Sequence, residues 1–354
     1  MLSAQRHLKT LRPTVGVLCA TALAFCFAGG RNAQAADWVR AGLNTNQPVW
    51  GVRGGLLWAI PPGGFRSSGG PRGLIRLGYP ISTNGGYDLI NFIAIEPIVH
   101  GQRGFSELEQ SALDQTRGKR IWGVSETSLA STPPQPTLVP GQLSQPAPGV
   151  EQLEVTLRVE PFDNGARVRL VILQRSDAPD EIQLTVHAEP GGAALDYCIL
   201  TATMGNLART RLLWLKDEIV SSLRLYPDYT GDSFAPHRIY PLDRLARSPS
   251  ADALVAVTTN EEAPAAVYPF PGRQLWHYGG GKVAQYWKKP RGTARDDLHV
   301  AVNARYTYWQ TRRPIPGGVA FENFELRERF YEGQVFTFGI TRKTPAQLGL
   351  GGHS

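Results

Sequence analysis

Cysteine is scarce in this chain, which has 354 residues and three cysteines. Cys19 and Cys26 lie within the first 35 residues, so Cys198 is the single cysteine of the remainder. One cysteine cannot form an internal disulfide, and the sequence has no Cys-x-x-Cys pair. Cys198 lies in a strand-like run and is expected to be a small buried side chain rather than a nucleophile.

A long apolar segment of membrane-spanning length is also missing. Residues 15–27 are apolar and follow a basic amino-terminal stretch, but the run is too short and wrongly flanked for a stable span. Residues 33–35 read Ala-Gln-Ala, which fits a small-x-small cleavage site before Ala36. The sequence therefore predicts a signal peptide over residues 1–35, a secreted or periplasmic protein, and no membrane span.

The excess of positive charge is small once that segment is removed. The formal net charge is +7, and the first 35 residues contain four basic and no acidic residues, which leaves +3. A nucleic-acid binder carries a clustered basic excess on its folded domain. No nucleic-acid partner is therefore expected.

Familiar catalytic and metal-binding motifs are absent. The sequence contains no His-Glu-x-x-His and no Gly-x-Ser-x-Gly, and residues 279–282 (Gly-Gly-Gly-Lys) lack the spacing of a phosphate-binding loop. Asp297 and His299 would share one face of a strand, but two ligands do not define a metal site. We expect neither a metal nor an organic cofactor.

What the sequence has instead is a strand pattern. It contains 38 glycines and 27 prolines with 19% charged residues, a composition typical of many short strands joined by turns. Residues 153–162 and 166–173 alternate around Asn164-Gly165, which predicts a hairpin. Residues 89–95 form an apolar run typical of a strand buried on both faces. The sequence predicts an all-β protein with one large antiparallel β-sandwich domain over residues 36–354.

Two segments depart from this strand pattern. Residues 131–149 contain six prolines and are expected to form an excursion without regular structure, within the single domain. Residues 106–114 predict one short helix, because Ser106 and Glu109 have the spacing of a capping box.

The carboxy-terminal segment, residues 317–340, holds the main catalytic candidate. We predict a hairpin with strands at 319–326 and 335–340 and a turn at Glu332-Gly333. Strand alternation places Glu322 among apolar neighbours, where lost hydration would raise its pKa and suit it to general base catalysis. The alternative is that Glu322 pairs with an arginine of a neighbouring strand.

This segment resembles the carboxy-terminal part of galactose mutarotase-like proteins, in which a late-strand glutamate precedes a turn by about ten residues and a final strand follows. Residues 51–62, a glycine-rich stretch running into Trp58 and two prolines, are similar to a segment of some members. The whole chain also resembles secreted bacterial proteins. The mutarotase resemblance implies a supersandwich fold, Glu322 as the base that deprotonates a sugar hydroxyl, and a histidine as the acid.

Aromatic residues concentrate between positions 276 and 309, interleaved with basic side chains. Flat aromatic faces match the apolar face of a pyranose, and arginine and histidine bind its hydroxyls. His277 lies between two aromatics, and His237 also has a loop-like context. The predicted site residues are Glu322, His277 and His237 for catalysis, with Arg53, Arg72, Trp276, Tyr278 and Arg305 for substrate binding.

The expected function is a secreted carbohydrate-active protein that hydrolyses or otherwise processes an oligo- or polysaccharide. Glu96, Glu107, Glu109 and Asp228 are further carboxylates for an acid and base pair, which glycosidases place roughly 5–10 Å apart. One alternative is a non-catalytic carbohydrate-binding or cell-envelope interaction module. Another is a structural envelope protein with buried aromatics. The sequence predicts no oligomeric state.

Overall fold

Strands make up most of the regular structure in the computed structural model of the chain. The residues it describes are 35–61, 65, 71–81, 86–125, 138–203, 209–260, 282–309 and 311–351. Helix in these residues is limited to a single turn at Ser222–Leu225 and 3-10 turns at Leu242–Arg244 and Ala346–Leu348. None of these helices has the length and apolar character needed to cross a membrane.

The described residues contain 21 strands, numbered in chain order. They are β1 Trp38–Val39, β2 Val49–Val52, β3 Leu57–Ala59, β4 Leu74–Tyr79, β5 Asp88–Val99, β6 Gln102–Arg103, β7 Ile121–Val124, β8 Gln142–Ala147, β9 Val150–Val159, β10 Val168–Arg175, β11 Glu181–Ala188, β12 Tyr197–Thr203, β13 Thr210–Trp214, β14 Ile219–Ser221, β15 Arg238–Pro241, β16 Ala246–Ser248, β17 Ala251–Thr259, β18 Ala284–Pro290, β19 His299–Arg305, β20 Ala320–Arg327 and β21 Gln334–Thr341.

These strands form two large antiparallel sheets. Sheet A has the order β1-β2-β3-β4-β5-β12-β20-β19-β15, with β6 paired to β5. Sheet B has the order β14-β13-β17-β18-β21-β11-β10-β9-β7, with β16 on β17 and β8 on β9. The prediction of an all-β chain built as a large antiparallel β-sandwich is confirmed.

One apolar core joins the two sheets, because each contributes alternate side chains to it. Polar contacts also cross it. Trp287 of β18 donates its indole N–H to the carbonyl of Phe324 in β20 at 2.8 Å. The Asn91 amide of β5 donates to Gln285 Oε1 of β18 at 2.7 Å. These bonds satisfy polar groups inside the core, where an unmade hydrogen bond would be costly.

The predicted hairpin around Asn164-Gly165 is confirmed. Strands β9 and β10 pair antiparallel with Arg158 opposite Arg169, and Gly165 has φ 85°, which glycine adopts without steric cost. Side chains of β9 alternate between buried and half-buried positions. This hairpin therefore covers the core with one face only.

Strand β5 differs, because it is buried on both faces as its apolar run predicts. Residues 100–120 lie against it beyond the end of β4. The Ser106 hydroxyl accepts the N–H of Ile95 at 2.9 Å and donates to the Gly73 carbonyl. Lys119 N–H in turn donates to the Ser106 carbonyl at 2.7 Å. The segment 100–120, called the covering loop below, therefore runs alongside β5 where β4 has ended.

The prediction of a carboxy-terminal hairpin is wrong. Strand β20 pairs with β12 and β19 in sheet A, whereas β21 pairs with β11 and β18 in sheet B. The connection crosses between sheets because tertiary contacts hold it. Glu328 is fully buried in an ion pair with Lys289, and Phe330 N–H donates to the Asp196 carbonyl at 2.9 Å.

Two local predictions also differ from the structure. Strand β8 lies inside the proline-rich stretch, where a register irregularity between Ser144 and Ala147 accommodates Pro146 at the sheet margin. Residues 106–114 form turns rather than a helix. The Ser106 hydroxyl is used by Ile95 and Gly73, so it is not available as a helix cap.

Ile182→Ala should destabilise the fold strongly, because Ile182 of β11 is fully buried in the core. The cavity left behind predicts a loss of about 2–5 kcal/mol in the free energy of unfolding. Ile239→Ala is the matched control, since Ile239 of β15 is 57% exposed, and its change should stay within about 0.5 kcal/mol. Urea denaturation compares them, and equal losses in the two variants would contradict this placement of the core.

Candidate functional site

A cavity of about 790 Å³ opens on the outer face of sheet A, away from the core. Its floor comes from sheet A strands, among them β5, β12, β19 and β20. One part of its wall is the covering loop, and another is the segment 234–237 that precedes β15. A cavity of this size is typical of small-molecule sites.

A β-bulge in β20 decides which side chains reach the cavity. Val302 pairs with Phe324 and Ala304 pairs with Phe321, so Glu322 and Asn323 together oppose one residue, Asn303. Asn303 and Asn323 line the cavity, and Asn323 N–H donates to Asn303 Oδ1 at 3.0 Å. Bulges re-aim side chains in this way and are frequent beside functional sites.

Next to the bulge lies a buried ion-pair cluster. Glu96 of β5 and Glu325 of β20 are 4% and 0% exposed at their side chains. Arg103 bonds Glu96 directly and lies 3.8 Å from Glu325, and Arg327 bonds Glu325. The Thr201 hydroxyl also contacts Glu96 at 3.3 Å. Two carboxylates are thus matched by two guanidinium groups, which offsets the cost of burying the charges.

Glu107 of the covering loop adds a third carboxyl to this region without a third guanidinium in contact. Burial, and to a lesser extent the negative charge of Glu96, raise the pKa of Glu107 to about 8. Its Oε2 has no hydrogen-bond partner among the described residues. Burial also raises the pKa of Glu96, to about 7, although Arg103 opposes that rise. Glu107 has the higher pKa of the two and no guanidinium in contact, so it retains a proton more readily than Glu96 near neutral pH.

His237 faces the same cavity as a neutral imidazole. Asn303 Oδ1 accepts from a backbone N–H, which orients its Nδ2 toward His237 Nε2 at 3.3 Å. Nε2 is therefore the acceptor and Nδ1 carries the proton in the neutral ring. Burial lowers the pKa of His237, although Glu325, with Oε1 3.8 Å from Nε2, opposes this. A proton added at Nε2 would be stabilised by the Glu325 carboxylate.

Aromatic rings form the apolar part of the wall. Phe105, Phe234 and Trp309 line the cavity, and the rings of Phe234 and Trp309 are 5.8 Å apart. Arg305 lies over both rings, at 5.0 Å and 5.2 Å. It is held by the carbonyl of Asp232 at 2.7 Å. Arg305 therefore supports the aromatic wall from behind.

The site residues predicted from the sequence are dispersed. His237 and Arg72 line the cavity, and Arg305 lies behind its aromatic wall. Glu322 is fully buried and is not among the lining residues. Arg53 lies elsewhere, in an exposed ion pair with Asp37. Trp276, His277 and Tyr278 lie outside the described residues.

Glu96 and Glu107 are two of the four further carboxylates that the sequence offers for an acid and base pair, and the structure places both on the cavity. A signal for Glu96 was present, since it ends an otherwise apolar run in β5. Glu325 offers no such signal, because Arg327, two positions along the same strand, gives it a charged neighbour. No group of three or more potential metal ligands occurs within the described ranges.

Glu107→Gln should make stability less dependent on pH. The pKa of Glu107 is raised to about 8 in the folded state, whereas an unfolded glutamate ionises near 4.3. Between these values the folded state binds more protons, so the contribution of Glu107 to the free energy of unfolding falls as pH rises. Glutamine cannot ionise, so the stability of the variant relative to wild type should rise by about 3–4 kcal/mol between about pH 5 and about pH 8.

Urea denaturation at the two pH values measures this difference. Glu154→Gln, on strand β9 of sheet B, is the control for replacing a glutamate away from the cavity. If Glu107→Gln changes the free energy of unfolding by the same amount at both pH values, Glu107 does not retain a proton.

Comparison of the chain with protein-family models, curated proteins and solved structures found no match in any of the three. The chemistry of the cavity is therefore the basis on which a function is inferred.

Proposed function

We propose that this protein is a carbohydrate-active enzyme that binds a saccharide in the cavity of sheet A and transforms it by general acid–base catalysis. The observation that carries the proposal is the meeting of a proton-retaining carboxyl, Glu107, and a neutral imidazole, His237, in one aromatic-walled cavity. Glycan hydrolysis is the reaction favoured by the export signal expected from the sequence, because exported proteins meet polymeric glycans.

The composition of the walls supports a saccharide as ligand. Phe234 and Trp309 offer flat apolar faces, which suit the C–H face of a pyranose. Asn323 Oδ1 accepts the Thr203 hydroxyl at 2.7 Å, so its amide nitrogen is the group left to bond a sugar oxygen. A sugar ring has apolar C–H faces and several hydroxyls, so a site that binds it combines apolar surfaces with fixed polar groups.

The two titrating groups have complementary roles in this proposal. Glu107 is protonated near neutrality and donates its proton to a sugar oxygen as that oxygen leaves. His237 Nε2 accepts a proton from a water or hydroxyl, and Glu325 stabilises the resulting imidazolium. The Asn303 amide must turn away from Nε2 for this step. Glu96 remains paired with Arg103 and fixes the charge around Glu107.

A second candidate is a non-catalytic carbohydrate-binding module that uses the same cavity. The observation that favours it is the Asn303 contact with His237, which occupies the imidazole nitrogen that a base needs. Against it, the cavity collects two carboxyls, Glu96 and Glu107, whereas a binding module needs no acid and base. Both candidates predict retention of a saccharide, and only the first predicts a product.

Glu107→Gln and His237→Gln should abolish product formation while preserving retention. Both substitutions keep approximate shape but remove proton transfer, and general acid–base catalysis contributes about 10²–10⁴-fold. A panel of polysaccharides is incubated with the purified protein, and released reducing sugar and retention on each polymer are measured. The Glu154→Gln variant on sheet B is the control and should match wild type.

Glu322→Gln tests the hypothesis drawn from the sequence alone, that Glu322 is the base. A folded Glu322→Gln protein that loses product, beside a fully active Glu107→Gln protein, would contradict the roles of Glu107 as acid and His237 as base. Retention by wild type without any product would favour the binding module. Wild type that neither retains nor cleaves any polymer of the panel would contradict a carbohydrate function.

A further inference from the structure

The rim of the cavity has more arginine side chains than carboxylates to pair with them. Arg72 lines the cavity and bonds Asp114 through Nη1 at 3.1 Å and 2.9 Å. Arg120 approaches the same carboxylate at 3.3 Å. One aspartate is thus shared by two arginines, which leaves a surplus positive charge on this part of the rim.

Arg117 adds a second surplus charge on the same wall. It lines the cavity, its side chain is exposed, and it makes no ion pair with any residue that the structure describes. Gly118 brings it beside Arg72: Gly118 has φ 94°, and a Cβ there would lie 2.6 Å from the Arg72 Cβ. The backbone of the covering loop therefore packs directly on Arg72, which holds the two arginines on one side of the opening.

Arg72 also has unused hydrogen-bonding capacity. Its Nη2 is buried and has no hydrogen-bond partner within the described part of the chain. A buried donor without a partner costs free energy. A ligand oxygen that accepted its hydrogen bond would remove that cost, and this would add to the affinity. Guanidinium groups bond carboxylate and sulfate oxygens with matched planar geometry, more strongly than they bond neutral hydroxyls.

We propose that the saccharide is anionic, and that a carboxylate or sulfate group on it is bound between Arg72 and Arg117 at the rim of the cavity. This rests on the proposed function, because it names the substrate class of the same cavity. Within the cavity, Glu96 is neutralised by Arg103, and behind it Glu325 is neutralised by Arg327. The positive charge available to the anionic substituent is therefore that of Arg72 and Arg117 at the rim.

Binding of matched charged and neutral saccharides tests the inference. Oligogalacturonate is compared with its fully methyl-esterified form, in which neutral methyl esters replace the carboxylates on the same sugar backbone. Dextran sulfate is compared with dextran, which distinguishes a sulfate ligand from a carboxylate one. At physiological ionic strength, calorimetry should give wild type a preference of about tenfold or more for the charged member of at least one pair.

Arg72→Gln and Arg117→Gln should each abolish most of that preference, because each should weaken binding of the charged member far more than binding of the neutral member. Arg117 is exposed, so its substitution tests the inference even where the Arg72 variant folds poorly. Arg175→Gln is the matched control, because Arg175 forms an exposed ion pair with Asp177 at the end of β10 in sheet B. It should keep the full preference.

Three results would overturn the inference. The first is equal binding of the charged and neutral members of both pairs. The second is loss of neutral and charged binding to the same extent in both rim variants, and the third is the same loss in the Arg175→Gln control. Equal binding of charged and neutral saccharides leaves the carbohydrate function standing and removes only its anionic specificity. Binding of none of the four saccharides would contradict both.

Discussion

An imbalance of charge on the outer face of sheet A sets the protonation of the carboxyls buried there. Glu96, Glu107 and Glu325 lie in one poorly hydrated region with two guanidinium groups, those of Arg103 and Arg327. Each guanidinium group neutralises one carboxylate, so the third carboxyl either retains a proton or needs another cation as partner. Because Glu107 is carried by the covering loop rather than by a strand, it is the member left without a direct partner. The result is an acid poised near neutral pH.

The sandwich provides the surroundings that this imbalance needs. In most β-sandwiches the outer faces are solvated, and sheet B keeps that pattern along β9, where buried and half-buried residues alternate. Sheet A departs from it at β5, which is buried on both faces. The covering loop is fixed there through Ser106, and it excludes water from carboxyls that would otherwise ionise freely. The bulge in β20 then directs Asn323 into the space that remains.

The sequence predicted what depends on local alternation and missed what depends on distant contacts. The all-β class, the hairpin at Asn164-Gly165 and the doubly buried β5 follow from residue patterns a few positions long. The carboxy-terminal hairpin failed because Glu328 is held by Lys289, which is 39 positions away. Glu322 was chosen by counting alternate positions along β20, and a bulge that the pattern does not reveal interrupts that count. Glu107 could not be singled out from the sequence, because its pKa depends on the packing of the covering loop against Glu96 of β5.

The protonation of Glu107 is the most direct test of these conclusions, and carboxyl carbon-13 NMR of glutamate-labelled protein measures it without any ligand. One glutamate carboxyl signal, absent from the Glu107→Gln variant, should titrate near or above neutral pH, because burial raises the pKa of Glu107 to about 8. If that signal instead titrates near the ordinary glutamate value of about 4.3, Glu107 is ionised at neutral pH and the proposed acid of the cavity does not exist.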